Sequence, residues 1–352
     1  MPRLFTAVQR AAILGTAAAA FVLSGCSEST SSPSRVSAPD AASLSQSPDL
    51  MDQTGRHVFH TKQWFENQAQ QNAPGNGRGG GGSTGSTGIS YHGGPVLQSG
   101  TNVAAIYWAS APIYTNGPTP GTFGVGAGDA SNIGIFLRSL GGSPYFNINH
   151  SYTDGSGRAI ANSVTYTQYW ANNSSVPANG QSISDAQMVA MLQSGFNSSA
   201  LTYEPSTVYA IFTAGTVNLG GGFGTQYCAY HYRGTVTING VSSTVLYAAM
   251  PYNAAYQGAC TVGSPANGAY DPGADYEVNT LAHEIEEATT DPRGSAWFDT
   301  RGYENADKCA WTFGTIYKTA SGGDANMNLG GKDFLIQRNW VNAGSGGCAL
   351  SW

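Results

Sequence analysis

The residues best suited to chemistry lie in one short string within a predicted helix. His283, Glu284 and Glu287 occur in the string His-Glu-Ile-Glu-Glu. Successive helical residues are about 100° apart, so the side chains at 283 and 287 share a face, with Cβ atoms roughly 5–6 Å apart. Both can reach one cation, and Glu284 lies beside them, where it can act as catalytic general base on a water. The spacing therefore predicts a metal centre for hydrolysis.

The next closely spaced acidic pair along the chain, Glu304 and Asp307, supplies candidates for a third ligand. The arrangement resembles the zincin pattern His-Glu-x-x-His with Glu287 in place of the second histidine, and Glu304 resembles the downstream glutamate of the thermolysin-like branch. This resemblance implies that Glu304 is the third metal ligand and that Asp307 orients His283 through its other ring nitrogen. His231, which lies in a predicted strand, is the alternative ligand.

One histidine and two carboxylates form a ligand set that is richer in oxygen than a zinc site with two histidines. Such a set cancels the charge of a divalent ion, so a bound water is acidified less. Zinc is the expected cofactor, and the oxygen ligands also admit Mn²⁺ or Ca²⁺. The alternative interpretation is that His283, Glu284 and Glu287 only form the polar face of a helix.

The composition of the chain excludes several classes of protein. Only 10% of the 352 residues are charged, and the net charge is −6, whereas soluble domains average roughly 25% charged residues. The sequence has no run of Lys and Arg, so we expect no nucleic-acid partner. The hydrophobic content of 41% excludes disorder of the whole chain. No serine lies in a Gly-x-Ser-x-Gly elbow between a predicted strand and helix, since the string at 81–85 falls in the glycine-rich tether, and this argues against a serine hydrolase.

The N-terminus predicts export and attachment to a membrane. An apolar run over residues 11–23 follows two arginines and is too short to span a bilayer. It ends in Leu-Ser-Gly-Cys, which resembles the bacterial lipobox. Residues 1–25 are therefore predicted to be a lipoprotein signal peptide and Cys26 to carry the lipid, which would anchor the protein to the cell envelope. The residue after the cysteine, Ser27, favours the outer membrane. An ordinary secretory signal, giving a secreted protein, is the alternative.

The remaining cysteines predict disulfide bonds. Without Cys26 the chain has four cysteines, an even number that suits an oxidising, extracytoplasmic compartment. Four cysteines allow three pairings. Sequential pairing is preferred because each bond would then close one glycine-rich segment; the pairs are Cys228–Cys260 and Cys309–Cys348.

Segment composition divides the chain into a tether and one folded domain. Residues 26–89 are rich in Ser, Gln, Asn and Gly and predict a disordered tether, with a short helix near 53–71 as an option. Residues 90–352 alternate strand and helix patterns, which predicts an α+β fold with a mixed sheet, packed helices, one long helix carrying the motif and a zincin-like architecture. The expected helices cover 132–140, a segment capped at 184–185, and 275–290. The expected strands cover 103–108, 146–152, 163–169, 207–213, a hairpin at 227–251 and 334–341.

Several strings together resemble the EXORDIUM family, also called phosphate-induced protein 1-like. They include the opening Tyr-His-Gly-Gly-Pro-Val-Leu at 91–97, Cys-Ala-Tyr-His-Tyr at 228–232, and His-Glu-Ile-Glu-Glu-Ala at 283–288. The resemblance implies an extracellular protein, and the plant members are linked to the cell wall and to growth responses. The lipobox implies a bacterial source.

Two functions follow from the sequence. The first is a zinc-dependent, peptidase-like hydrolase in which His283, Glu287 and Glu304 hold the metal and Glu284 is the base. The second is a non-catalytic protein of the cell wall or cell surface, with a structural or vestigial metal site. The expected ligand is a peptide for the hydrolase and a cell-wall glycan or peptidoglycan for the non-catalytic protein.

Overall fold

The computed structural model describes residues 56–71 and 88–352, which belong to a single unit of the chain. The signal peptide predicted for residues 1–25 and the lipidation site Cys26 lie outside the described residues. Within the described ranges, none of the helices combines the length and the apolar character needed to cross a bilayer.

Four α-helices are present in the described part of the chain: α1 Lys62–Gln71, α2 Asn132–Leu140, α3 Asp185–Asn197 and α4 Pro272–Thr290. The strands in that part are β1 His57–His60, β2 Ser90–Tyr91, β3 Thr101–Trp108, β4 Phe123–Val125, β5 Val164–Asn172, β6 Thr207–Thr213, β7 Tyr227–Ile238, β8 Val241–Met250, β9 Trp297–Phe298, β10 Tyr317–Lys318, β11 Asp324–Ala325, β12 Met327–Leu329, β13 Lys332–Phe334, β14 Asn339–Val341 and β15 Gly347–Ala349. Short 3-10 helices lie at Gly126–Gly128, Phe146–Ser151, Asn253–Tyr256 and Asp307–Cys309.

Seven of the strands form one mixed sheet in the order β1-β7-β8-β6-β3-β5-β4. The strands β5, β3, β6 and β8 run parallel to one another. β7 is antiparallel to β8, and β1 pairs antiparallel with β7 at the edge. The predicted α+β fold with a mixed sheet is therefore confirmed.

Helices cover both faces of this sheet because its strands are apolar on both sides. Along β3, alternate residues belong to two different hydrophobic clusters, as the two-residue period of a strand requires. Val103, Ala105 and Tyr107 pack with residues of α2 and α4. Ala104 and Ile106 pack on the opposite side with residues of α3. The motif helix α4 is thus held against the central strands.

The start and the end of α4 are set by local sequence. Asp271 caps the helix by accepting a hydrogen bond from the Ala274 backbone N–H at 3.1 Å, and Pro272 occupies its first turn. The helix ends at Thr290, two residues before Pro292, as expected because proline cannot continue a helix. Almost every residue between these ends is buried, the acidic ones included. Burying a carboxyl group costs free energy unless the group has a partner. The buried acids therefore make α4 the candidate location of a functional site.

Several sequence predictions agree closely with the structure. Helix α2 and strand β6 have the predicted bounds. The β7–β8 hairpin turns at Asn239 and Gly240, which both have positive φ, as the tight turn favoured by Asn-Gly requires. The sequential disulfide pairing is also confirmed, with bonds Cys228–Cys260 and Cys309–Cys348.

Two predicted strands differ from the structure. Residues 146–151 form a 3-10 helix, because the Ser143 hydroxyl accepts a hydrogen bond from the Phe146 backbone N–H at 3.0 Å and turns the chain. The strand prediction there was wrong, since its apolar–polar alternation also fits a tight helix. The predicted strand over 334–341 is divided into the ends of two separate pairs, β12–β13 and β14–β15.

The segment predicted as a tether contains ordered elements. β1 joins the edge of the main sheet and α1 follows it directly. Their surroundings in the sequence are rich in Gly, Ser and Gln, so the average composition conceals a four-residue strand. A disordered tether therefore does not describe residues 57–71, although it was predicted for the whole range 26–89. The short helix expected near 53–71 corresponds to α1.

Candidate functional site

The two motif residues one turn apart on α4 do converge. Nε2 of His283 lies 3.0 Å from Oε1 of Glu287. Oδ1 of Asp307, which lies in the 3-10 helix after β9, is 3.7 Å from the same Nε2. These three side chains are nearly or completely buried. Their ligand atoms lie within 4.8 Å of one another and could hold a metal ion.

A second group of ligands shares Glu287. Nδ1 of His231, on strand β7, lies 3.7 Å from Oε2 of Glu287, and Nε2 of His231 lies 3.7 Å from Oε2 of Glu304. The set His231, Glu287 and Glu304 also keeps its ligand atoms within 4.8 Å and is fully buried. The predicted ligand Glu304 is therefore grouped with the alternative ligand His231, and Asp307 is the acidic residue grouped with His283.

Many of these ligand atoms lack a hydrogen bond. Nε2 of His283, Nε2 of His231, Oδ1 of Asp307 and both carboxylate oxygens of Glu304 are buried without a hydrogen-bond partner among the described residues. Leaving such atoms unpaired costs about 1–3 kcal/mol each, and more for charged groups. Atoms bound to zinc at roughly 2.0–2.2 Å lie about 3.3 Å apart in a tetrahedral site. The separations of 3.0 to 3.7 Å in the cluster are close to this value.

The predicted general base lies at the same place. Oε2 of Glu284 is 3.3 Å from Nδ1 of His231, while its Oε1 has no hydrogen-bond partner among the described residues. The side chain is completely buried. The structure thus brings Glu284 beside the ligand groups, with one oxygen oriented by a histidine and the other available.

The second nitrogen of His283 contacts a residue that the sequence did not indicate. Nε2 of Gln337 lies 3.0 Å from Nδ1 of His283 and donates to the carbonyl oxygen of Ala306, also at 3.0 Å. The predicted orienting role of Asp307 is therefore not observed, because Asp307 approaches the other ring nitrogen. A metal at Nε2 requires a proton on Nδ1, so the Gln337 amide must then turn its oxygen toward the ring.

Burial dominates the electrostatics of the cluster. It lowers the pKa of His283 and of His231, and it raises the pKa of Glu287 to about 7. Burial also raises the pKa of Glu304 and of Asp307 well above the ordinary value of a carboxyl group. The imidazoles are thus held neutral, the form that binds a metal, and a nearby cation would favour ionisation of the carboxyl groups.

Strand β1 covers the cluster and supplies a histidine that sequence reasoning missed. Nδ1 of His57 lies 3.2 Å from Oε2 of Glu304, and the ring of Phe59 stacks on His283 with a centroid distance of 3.9 Å. Trp311 stacks on Phe59 at 4.7 Å. The only local signal was the string His-Val-Phe-His, which is too short to predict a strand.

The loop that carries the distant ligands is fixed from two sides. The backbone N–H of Asp307 donates to Oε1 of Glu287 at 3.0 Å, which ties the loop to α4. The disulfide Cys309–Cys348 holds its other end. The described residues therefore define an α+β protein with two disulfides, as in exported proteins, and with a buried cluster of histidine and carboxyl ligands on one helix.

Comparison with known families agrees with this class. Residues 139–332 match the family described as the phosphate-induced protein 1 conserved region. The chain belongs to this family, as the resemblance seen in the sequence implied. The matched range contains His231, His283, Glu284, Glu287, Glu304 and Asp307, whereas β1 lies outside it. Neither a curated protein nor a solved structure matches the chain.

Proposed function

We propose that the protein is an exported, metal-dependent hydrolase that acts on peptides. The observation that carries this proposal is the convergence of His283, Glu287 and Asp307, whose buried ligand atoms lie within 4.8 Å of one another. Glu304 completes the cluster from the second group rather than as the direct partner of His283. Zinc is the preferred metal, and the carboxylate-rich set also suits Mn²⁺ or Ca²⁺. The zincin-like architecture stays a prediction.

In this proposal Glu284 and His231 have different roles in hydrolysis. A zinc ion, when bound by these residues, would supply Lewis acidity. Glu284 would accept a proton from the attacking water through Oε1, the oxygen that has no partner among the described residues, and would pass it to the amine that leaves when the peptide bond breaks. His231 holds the other oxygen of Glu284 at 3.3 Å and so fixes the direction of the free one.

Access to this site depends on β1. His57 and Phe59 lie against Glu304 and His283, and the ligand side chains are between 0% and 7% exposed. Departure of β1 from the edge of the sheet would remove these two contacts and open a path for a peptide to the cluster. Because β1 is held to the rest of the sheet by pairing with β7 alone, it can leave without breaking the central strands.

The same burial favours a second candidate function. A structural metal site is closed to solvent, whereas a catalytic one keeps an open position. A cluster sealed by β1 is therefore also what a non-catalytic protein of the cell wall would show. Such a protein would bind a cell-wall glycan or peptide without turnover.

We test the two functions with casein as the peptide substrate and the full chain as the enzyme. A site for a sequence-specific protease is inserted between residues 79 and 87, so that cutting separates β1 covalently from β2. Phe59→Ala then weakens the contact of β1 with His283, and Phe65→Ala on α1 is the matched control. Hydrolysis that rises in the cut Phe59→Ala chain supports the hydrolase. A cut chain that holds zinc, has lost its N-terminal fragment and still leaves casein intact contradicts the hydrolase and supports the binding protein.

Attachment to the envelope is proposed from the sequence. The lipobox ending at Cys26 and the two disulfides support an extracytoplasmic protein that is anchored to a membrane by lipid. Cys26→Ser should prevent incorporation of labelled fatty acid and move the protein from the membrane fraction to the soluble fraction. A variant that still sediments with membranes contradicts the anchor.

A further inference from the structure

We propose that the cluster binds two divalent cations that share the carboxylate of Glu287. This inference rests on the metal centre proposed above and adds a second cation to it. The first cation is held by His283, Glu287 and Asp307, and the second by His231, Glu287 and Glu304.

Glu287 has the geometry of a bridging ligand. Its Oε1 lies 3.0 Å from Nε2 of His283, and its Oε2 lies 3.7 Å from the ring of His231, measured to Nδ1; Nε2 of that ring is the nitrogen left for a metal. The two oxygens thus belong to different ligand groups. In two-metal hydrolases the cations lie roughly 3.5–4 Å apart, a separation that one carboxylate can span.

Each group has its own metal-ligand atoms that lack a hydrogen-bond partner among the described residues. In the first group these are Nε2 of His283 and Oδ1 of Asp307. In the second they are Nε2 of His231 and both oxygens of Glu304. One cation at the first position would satisfy His283 and Asp307 and would leave the atoms of the second group unpaired. Two cations satisfy both sets.

Residues beside the second group support a metal there. Glu284 lies 3.3 Å from Nδ1 of His231, an arrangement in which a carboxylate orients a histidine so that its other nitrogen can bind a metal. His57 brings a further imidazole nitrogen within 3.2 Å of Glu304. The second position is therefore surrounded by groups that bind metals.

The charge of the cluster points to the same number of cations. Glu284, Glu287, Glu304 and Asp307 are all within 7% of complete burial. When ionised they carry four negative charges, which two divalent cations balance. A single divalent cation would leave two negative charges in a site without solvent, and uncompensated buried charge is strongly destabilising.

The test counts cations and measures the coupling between them. The full chain is stripped of metal, loaded with Mn²⁺ and freed of excess ion. We expect about two Mn²⁺ per chain by elemental analysis and an exchange-coupled electron paramagnetic resonance spectrum, because bridged ions interact. The wild-type spectrum needs no variant and so does not depend on how any variant folds.

Variants then assign each cation to its group. Asp307→Ala and His231→Ala should each reduce the content to about one ion per chain and abolish the coupling, whereas Glu287→Gln should affect both ions. Glu286→Gln, the neighbouring buried acid, is the matched control and should keep both. Circular dichroism confirms that each variant is folded, and His231→Gln replaces His231→Ala if the latter is not.

The outcomes separate this inference from the proposed function. One ion per wild-type chain, or two ions without coupling, overturns the shared site while leaving the single-metal hydrolase in place. No bound ion in the wild type overturns both. Two coupled ions, each lost with its own group of ligands, establish the shared centre.

Discussion

Two neighbouring acids on α4, Glu286 and Glu287, lie in opposite kinds of surroundings although both are buried. Oε2 of Glu286 accepts hydrogen bonds from the amide groups of Asn149 at 2.5 Å and Asn339 at 2.7 Å. Glu287 instead faces the imidazoles of His283 and His231. One oxygen of Glu286 is paired with two amide donors, whereas Glu287 lies among side chains that could hold a metal ion.

The difference teaches how one helix can combine a structural and a chemical face. Amide donors stabilise a single buried carboxyl group without any ion. Among the described residues, no ion pair joins Glu286 to a histidine. Around Glu287, Nε2 of His283, Nε2 of His231, Oδ1 of Asp307 and both oxygens of Glu304 have no hydrogen-bond partner among the described residues, and the proposed cations would satisfy these atoms. Adjacent positions on a helix point about 100° apart, which separates the two environments.

The largest expected effect is on the rate of hydrolysis, when the proposed general base Glu284 is replaced and Glu286 serves as the comparison. Glu284→Gln should lower hydrolysis of casein by about 10²–10⁴-fold, the usual contribution of general acid–base catalysis, while metal content is retained. Glu286→Gln should keep both activity and metal, because its partners are amides. The measurement is the initial rate in the chain with β1 released. Equal activity of wild type and Glu284→Gln would remove Glu284 from the mechanism.

A third buried acid on α4, Glu277, extends the comparison to the pH dependence of stability. Glu277 is completely buried and accepts one hydrogen bond, from the Asn253 backbone N–H, and burial raises its pKa to about 8. The folded protein therefore binds a proton that the unfolded chain releases near pH 4.5. The free energy of unfolding should fall as pH rises from about 4.5 to about 8, by up to about 1.4 kcal/mol per pH unit.

Glu277→Gln should remove this part of the pH dependence, since an amide has no proton to lose. Urea unfolding of both chains at several pH values measures the difference between them. A difference that stays constant between pH 5 and pH 8 would show that Glu277 ionises normally in the folded protein.

A smaller effect, on metal affinity, is expected when Gln337 is replaced, because its amide contacts Nδ1 of His283. Gln337→Leu removes the contact with Nδ1 at 3.0 Å and should weaken metal affinity by about 10–100-fold, as is usual for groups that orient a ligand. Asn149→Leu, which removes a contact with Glu286, should leave affinity unchanged. Titration of the stripped full chain with Zn²⁺ gives both values. Equal affinities would show that the amide of Gln337 does not orient the ring.

The sequence predicted those parts of the site that depend on local order. His283 and Glu287 lie about one turn apart on a capped helix and Glu284 directly follows His283, so their proximity follows from helical geometry. The grouping of Asp307 rather than Glu304 with His283 depends on how a loop between β9 and β10 folds back on α4. No spacing rule determines such a loop.

Other parts of the site arise only from tertiary structure. Gln337 and His57 are far from the motif in the sequence, and neither lies in a recognisable pattern. His57 reaches the cluster because β1 pairs with β7, which places it opposite His231. Edge pairing of a four-residue strand has no sequence signal that rises above its Ser- and Gln-rich surroundings.

The metal content of the purified full chain tests the central claim most directly. Elemental analysis of wild type, Glu287→Gln and Glu286→Gln compares the two neighbouring acids under identical conditions. The account predicts bound zinc or manganese in wild type and in Glu286→Gln, and loss of the metal in Glu287→Gln. Wild-type protein without metal after loading, or metal retained in Glu287→Gln, would contradict it.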